Sequence, residues 1–112
     1  MEFRSLAEDA PDFDPNGVVA ERFLDGLQTN VRVIRISPGQ TLVPHRHGSS
    51  DLMLFAVEGT GTIDTDGAKV ELPAGSLVYI RPDEELRIAN EGSAGLTLLA
   101  FLAPPFPPRP SA

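Results

Sequence analysis

The chain has 112 residues, with 16 acids against 9 bases for a net charge of −7, and no cysteine. That length predicts one domain, and the missing cysteine excludes disulfides, zinc–thiolate sites and a cysteine nucleophile. The negative charge disfavours nucleic acid, since a phosphate backbone would be repelled. Ten glycines and eleven prolines argue against long helices, while 41% hydrophobic residues suffice for a packed core.

Residues 1–17 hold five acids, one arginine, Pro11, Pro15 and Gly17. This reads as an irregular lead-in that Phe3, Leu6 and Phe13 would tie down. Glu2, Glu8 and Asp9 stand where an export signal needs bases and an apolar run. No apolar run approaches the roughly 18 residues of a membrane span. A soluble, cytoplasmic protein without membrane contact is expected.

From Val18 to Ala103 short β-branched runs alternate with Gly, Pro, Asp and Asn, the pattern of an all-β sandwich or barrel. The predicted strands are Val18–Leu24, Asn30–Ile36, Thr41–His45, Asp51–Val57, Gly61–Thr65, Ala68–Leu72, Leu77–Ile80, Leu86–Asn90 and Leu96–Ala103. Asp66-Gly67 is a two-residue hairpin turn of the type that needs positive φ. It pairs Thr65 with Ala68, Asp64 with Lys69, Ile63 with Val70 and Thr62 with Glu71. Opposite charges then share one face and apolar groups the other. Asp25-Gly26 offers a second turn with weaker flanks.

Two strands are apolar on both faces. Leu52, Leu54 and Ala56 oppose Met53, Phe55 and Val57; Leu98, Ala100 and Leu102 oppose Leu99 and Phe101. A sheet with one wet face would alternate, so another sheet, the lead-in or a partner must cover the second face. A homodimer is expected, with Val18–Leu24 adding to the partner's sheet. Residues 104–112 hold five prolines and read as a polyproline-like tail. Pro104, Pro107 and Arg109 fit a P-x-x-P-x-R ligand pattern, though a cap lying over the barrel is the favoured reading.

His45 and His47 are the only histidines. At i and i+2 on a strand they share a face, which is how β-proteins begin a metal site. Around them the chain resembles the cupin family. The family's first motif, G-x5-H-x-H-x3-4-E-x6-G, aligns with Gly39, His45, His47 and Gly59. The second, G-x5-P-x-G-x2-H-x3-N, aligns with Gly75 and Asn90. The resemblance covers Val31 to Ala103 and implies a small jelly-roll β-barrel, in agreement with the strands and turns.

The departures fall on the metal ligands. Leu52 stands at the acidic position, with Asp51 beside it, and Leu86 stands at the second motif's histidine. Arg81 and Asp83 replace that motif's proline and glycine. Two imidazoles bind a divalent cation weakly, because such ions take three or more protein ligands. Leucines there also raise the cost of a bare charge. Asp51, turned inward by a bulge, or Glu84 from the rim are candidates to complete the shell. The expected cofactor is none, or a weakly held Zn, Ni, Fe or Mn.

The expected pocket lining is Leu52, Leu54, Tyr79, Leu86, Leu98 and Ala100, with His45 and His47. Arg46, Arg81 and Arg87 are candidates for a cationic rim that receives a carboxylate. Asp83-Glu84-Glu85 reads as a solvated turn. Three functions compete: a small-molecule-binding barrel with a degenerate metal site, a metal-dependent oxygenase, isomerase or lyase acting on a small organic acid or sugar, and an inert dimeric interaction module.

Overall fold

A computed structural model of the chain describes residues 1–108. A single helical turn, α1 (Leu6–Asp9), precedes nine strands: β1 (Val19–Asp25), β2 (Asn30–Ile36), β3 (Thr41–His45), β4 (Asp51–Glu58), β5 (Thr60–Thr65), β6 (Ala68–Pro73), β7 (Leu77–Ile80), β8 (Leu86–Ala89) and β9 (Leu96–Ala103). They form a five-stranded sheet in the order β1-β2-β9-β4-β7 and a four-stranded sheet in the order β3-β8-β5-β6. Every strand pair is antiparallel. The fold is the expected all-β jelly-roll barrel. No helix among the described residues is long and apolar enough to cross a membrane.

Local chemistry sets much of this order. The β5–β6 hairpin has the register its charges demand, from Thr65 opposite Ala68 to Thr62 opposite Glu71. Its turn residues Asp66 and Gly67 both take positive φ, 43° and 91°, the conformation that matches the twist of the flanking strands. Asp25-Gly26 does not close a two-residue turn. Residues 26–29 form a longer loop in which the Gly26 N–H donates to the Thr29 carbonyl at 2.7 Å. Gly59 has φ 78°, and a Cβ there would collide with the Gly95 carbonyl oxygen, so only glycine lets β4 turn into β5 beside β9.

The core lies between the sheets. Ile34 and Ile36, Leu52, Leu54 and Ala56, and Leu96, Leu98, Ala100 and Leu102 line the five-stranded side; Ile63, Leu72, Leu86 and Ile88 meet them from the other. Each fully buried Leu or Ile contributes about 1.5–3 kcal/mol of transfer free energy.

Outside that core, Phe23 and Val33 are also buried, Val33 completely. The lead-in lies against this outer face. The Arg4 guanidinium sits 4.5 Å from the Phe23 ring and donates to the Phe23 carbonyl. Phe13 lies under Arg35, and Ser37 and Gln40 hold the Asp14 carbonyl. Phe3 takes no part: it is 85% exposed, so the lead-in is anchored by Arg4 and Phe13 instead.

The lead-in leaves the outer face of β9, β4 and β7 open. There Met53 lies opposite both Tyr79 and Phe101, and Phe55 opposite Leu77 and Leu99. Met53, Leu77, Tyr79 and Phe101 are all exposed.

The tail does not run on as a polyproline helix. Residues 104–108 bend back over one end of the barrel, with cis bonds before Pro104 and Pro107. Side chains of the barrel hold its backbone. Asn30, buried in β2, donates to the Phe106 carbonyl and accepts from the Phe106 N–H. Ser50 donates to the Pro104 carbonyl at 2.6 Å, and Arg22 to that of Pro107. Of the P-x-x-P-x-R pattern, Pro104 and Pro107 belong to this cap and Arg109 lies outside the described residues.

Candidate binding site

Beneath the cap is a cavity of about 280 Å³. Its walls are hydrocarbon: Ile34, Leu52, Leu54, Leu86 and Ala100 from the barrel, closed by Phe106 and Pro107 of the tail. Three ionisable side chains line it, Arg32, His45 and His47, and none of the chain's acids does so among the described residues.

A backbone irregularity aims His45. Leu42 pairs with Ile88 and His45 with Leu86, so β3 spends three residues where β8 spends two. Leu42 packs on the core, and simple alternation from it would send residue 45 outward. The extra residue, in the stretch containing Pro44, turns His45 back to the cavity. His47 lies past the end of β3, in the turn closed by the Ser50 N–H on the His47 carbonyl. The i, i+2 argument therefore brings the right pair together, but the bulge and the turn place them, not strand alternation.

The two rings meet edge to face with centroids 4.5 Å apart, and Phe106 packs on His47 in the same manner at 5.5 Å. His45 Nδ1 lies 2.9 Å from the Val43 carbonyl oxygen. A carbonyl can only accept, so a neutral His45 carries its proton on Nδ1 and leaves Nε2 as the lone pair. His47 is only 6% exposed, and its Nδ1 is buried without a hydrogen-bond partner among the described residues. Burial first, then the neighbouring His45 and Arg32 charges, push its pKa down from 6.5 to about 4. At neutral pH it is an uncharged imidazole.

The other expected ligands are elsewhere. Asp51 stays in register opposite Ala103, with no bulge to turn it. It is exposed on the outer face, where its Oδ1 accepts from the Tyr79 hydroxyl at 2.7 Å. That bond, with the Asp51 charge beside it, raises the Tyr79 pKa. Tyr79 thus points away from the cavity it was expected to line. Glu84 caps the Arg81 N–H and borders a separate depression beside Lys69 and Tyr79. Leu98 is fully buried in the core but does not reach the cavity wall, whereas Leu52, Leu54, Leu86 and Ala100 do. No group of three or more His, Asp or Glu side chains that could hold a metal occurs among the described residues. The donor set for the metal that the resemblance implies is two imidazoles flanked by Leu52 and Leu86, which does not fit an ion needing three or more protein ligands.

The expected cationic rim is also displaced. Arg46 pairs with Glu85, and Arg81 with Asp83. Arg87 is exposed, opposite Asp64. The cavity's cation is Arg32, which sequence reasoning passed over. A signal for it exists: Asn30, Arg32, Ile34 and Ile36 share one face of β2, so a strand with two core isoleucines carries its arginine inward.

The family model described as "Cupin domain" matches residues 32–102. Among curated proteins, the chain is 27% identical over 81 residues to uncharacterized protein MJ1618 of Methanocaldococcus jannaschii, covering 72% of this chain and 65% of that one. It is 29% identical over 77 residues to the tetracenomycin polyketide synthase protein TcmJ of Streptomyces glaucescens, covering 69% and 51%. The chain thus spans between half and two thirds of the length of these relatives. Among solved structures, TT1209 from Thermus thermophilus superposes with a TM-score of 0.85 at 21% identity, covering 94% of this chain and 99% of that one. At that identity the likeness is one of fold.

Proposed function

Because the chain belongs to the cupin domain family, whose model spans residues 32–102, we propose that its barrel binds a small, largely apolar molecule without a catalytic metal. The observation that carries this reading is the cavity itself: hydrocarbon walls under a fitted cap, with Leu52 and Leu86 standing where the motifs place a carboxylate and an imidazole. Most ligand sites are of this kind, apolar with a few placed polar groups. A metal-dependent enzyme acting on a small organic acid or sugar is the second reading, and the contact between the His45 and His47 rings favours it. The protein acts as a homodimer, with β1 as a free sheet edge and an apolar face outside β4.

Elemental analysis of untagged protein separates the two readings. Wild type is expected to hold well below one metal per chain. Added zinc or nickel should raise its melting temperature little, since binding stabilises by RT ln(1 + [L]/Kd). Leu52→Glu with Leu86→His supplies the missing half of the shell. That double variant should gain metal-dependent stability of several kcal/mol, at about 1.4 kcal/mol per tenfold in affinity. One metal per wild-type chain, lost in His45→Ala, would put the enzyme first.

A further inference from the structure

We infer that the ligand is a small monocarboxylate, its carboxylate on the Arg32 guanidinium and its hydrocarbon body against Leu52, Leu54 and Leu86. This rests on the reading of the barrel as a small-molecule site and names the ligand's chemistry.

The charge pattern carries the inference. The chain holds 16 acids and 9 bases, yet every ionisable side chain on the cavity wall is basic. Arg32 carries its charge at any physiological pH. Among the described residues one of its five donors is used, by Nη2 on the Ala20 carbonyl at 2.8 Å. No carboxylate lies within ion-pair distance of it among the described residues, whereas Arg22, Arg46 and Arg81 each have one. Arg32 also stands directly opposite Arg22 in the β1–β2 ladder. Like charges in that position are destabilising, and desolvation followed by the Arg22 charge lowers the Arg32 pKa, an effect that the Asp25 and Glu21 charges offset only in part. An anion in the cavity relieves both effects. The net charge of −7 does not forbid it, because exposed charges are screened beyond about 8 Å, while a contact to the half-buried Arg32 guanidinium is screened much less.

Size and polarity set the rest. At about 30 Å³ for each water-sized group, a cavity of about 280 Å³ takes on the order of nine groups, the bulk of hexanoate or benzoate. A second carboxylate would have to be buried against leucine, which is costly.

The test compares benzoate and hexanoate with their neutral isosteres benzamide and hexanamide, and with adipate. The side-chain methyl resonances of Leu52, Leu54 and Leu86 report occupancy, and the Arg32 Nε–H resonance reports the contact. Each acid should bind about tenfold or more tightly than its amide, and hexanoate more tightly than adipate. The acids, and not the amides, should shift the Arg32 Nε–H. Arg32→Met should keep amide binding and lose the preference for acids; Arg32→Lys should keep a reduced preference, having charge without the fork. Equal binding of acids and amides, or a preference that survives in Arg32→Met, overturns the carboxylate assignment alone. If neither acids nor amides move the leucine methyls, the small-molecule reading falls with it.

Discussion

His47 shows how one side chain takes its chemistry from its surroundings. In water an imidazole is half protonated near pH 6.5, but burial under Phe106 and beside His45 and Arg32 lowers the His47 pKa to about 4. The unfolded chain therefore binds a proton between those values that the folded chain refuses. The stability this group contributes is complete above about pH 6.5 and is lost as pH falls toward 4. The loss is at most about 3 kcal/mol, and less to the extent that water at the mouth screens the ring. Urea unfolding of metal-free protein at about pH 7 and about pH 4.5 should show the drop. In His47→Gln, which cannot titrate, stability should change less between the two pH values. Equal changes in both proteins would mean that His47 is not held neutral.

At the scale of elements, the tail is part of the barrel wall. Asn30 satisfies both backbone groups of Phe106 from within β2, and the ring of Phe106 then covers His47. Asn30→Ala removes two hydrogen bonds and leaves Phe106 held by its neighbours alone. The expected cost is about 1–3 kcal/mol, read as a lower urea midpoint, with faster proteolysis after Ala103. Ser50→Ala removes the single bond to the Pro104 carbonyl and should cost less. If Asn30→Ala were no worse than Ser50→Ala, the tail would be held by apolar packing and not by Asn30. The β5–β6 hairpin is the contrasting case, since its turn residues and cross-strand charges specify it without help from the rest of the chain.

At the scale of the whole molecule, the outer face of β9, β4 and β7 is an apolar surface that the described residues leave uncovered. Its cross-strand neighbours Met53, Tyr79 and Phe101 are continuous and exposed. A stable dimer buries about 800 Å² per partner. Light scattering at micromolar concentration should give twice the chain mass. Phe101→Glu should give a monomer with unchanged circular dichroism, because Phe101 is already exposed in the isolated fold. A wild-type monomer, or a Phe101→Glu dimer, would remove this face from consideration.

The positions of the strands, the β5–β6 register and the barrel are legible in the residues alone. These follow from alternation, turn chemistry and glycine placement, which act over a few residues. Asn30–Ile36, Thr41–His45, Leu77–Ile80 and Leu96–Ala103 have the predicted ends. Parity through regular strands also brought Leu52, Leu54, Leu86 and Ala100 to one place, and the i, i+2 spacing named His45 and His47 as the pair that joins them there. The remainder depends on how the strands pair across the closed barrel. One extra residue in β3 reverses parity, so whether His45 faces in depends on its pairing with Leu86 across the sheet. Asp51 and Tyr79 sit on the outer face because β4 stays in register with β9 and β7. Arg32 is charged like Arg46, Arg81 and Arg87, and its parity with Ile34 and Ile36 marks an inward face without saying what that face lines. It becomes the cavity's cation because β2 lies beside β9 with its even-numbered residues inward, while Asp25, Glu85 and Asp83 neutralise other arginines. Contacts between residues far apart in the chain assign those roles, and they exist only once the sheets have closed.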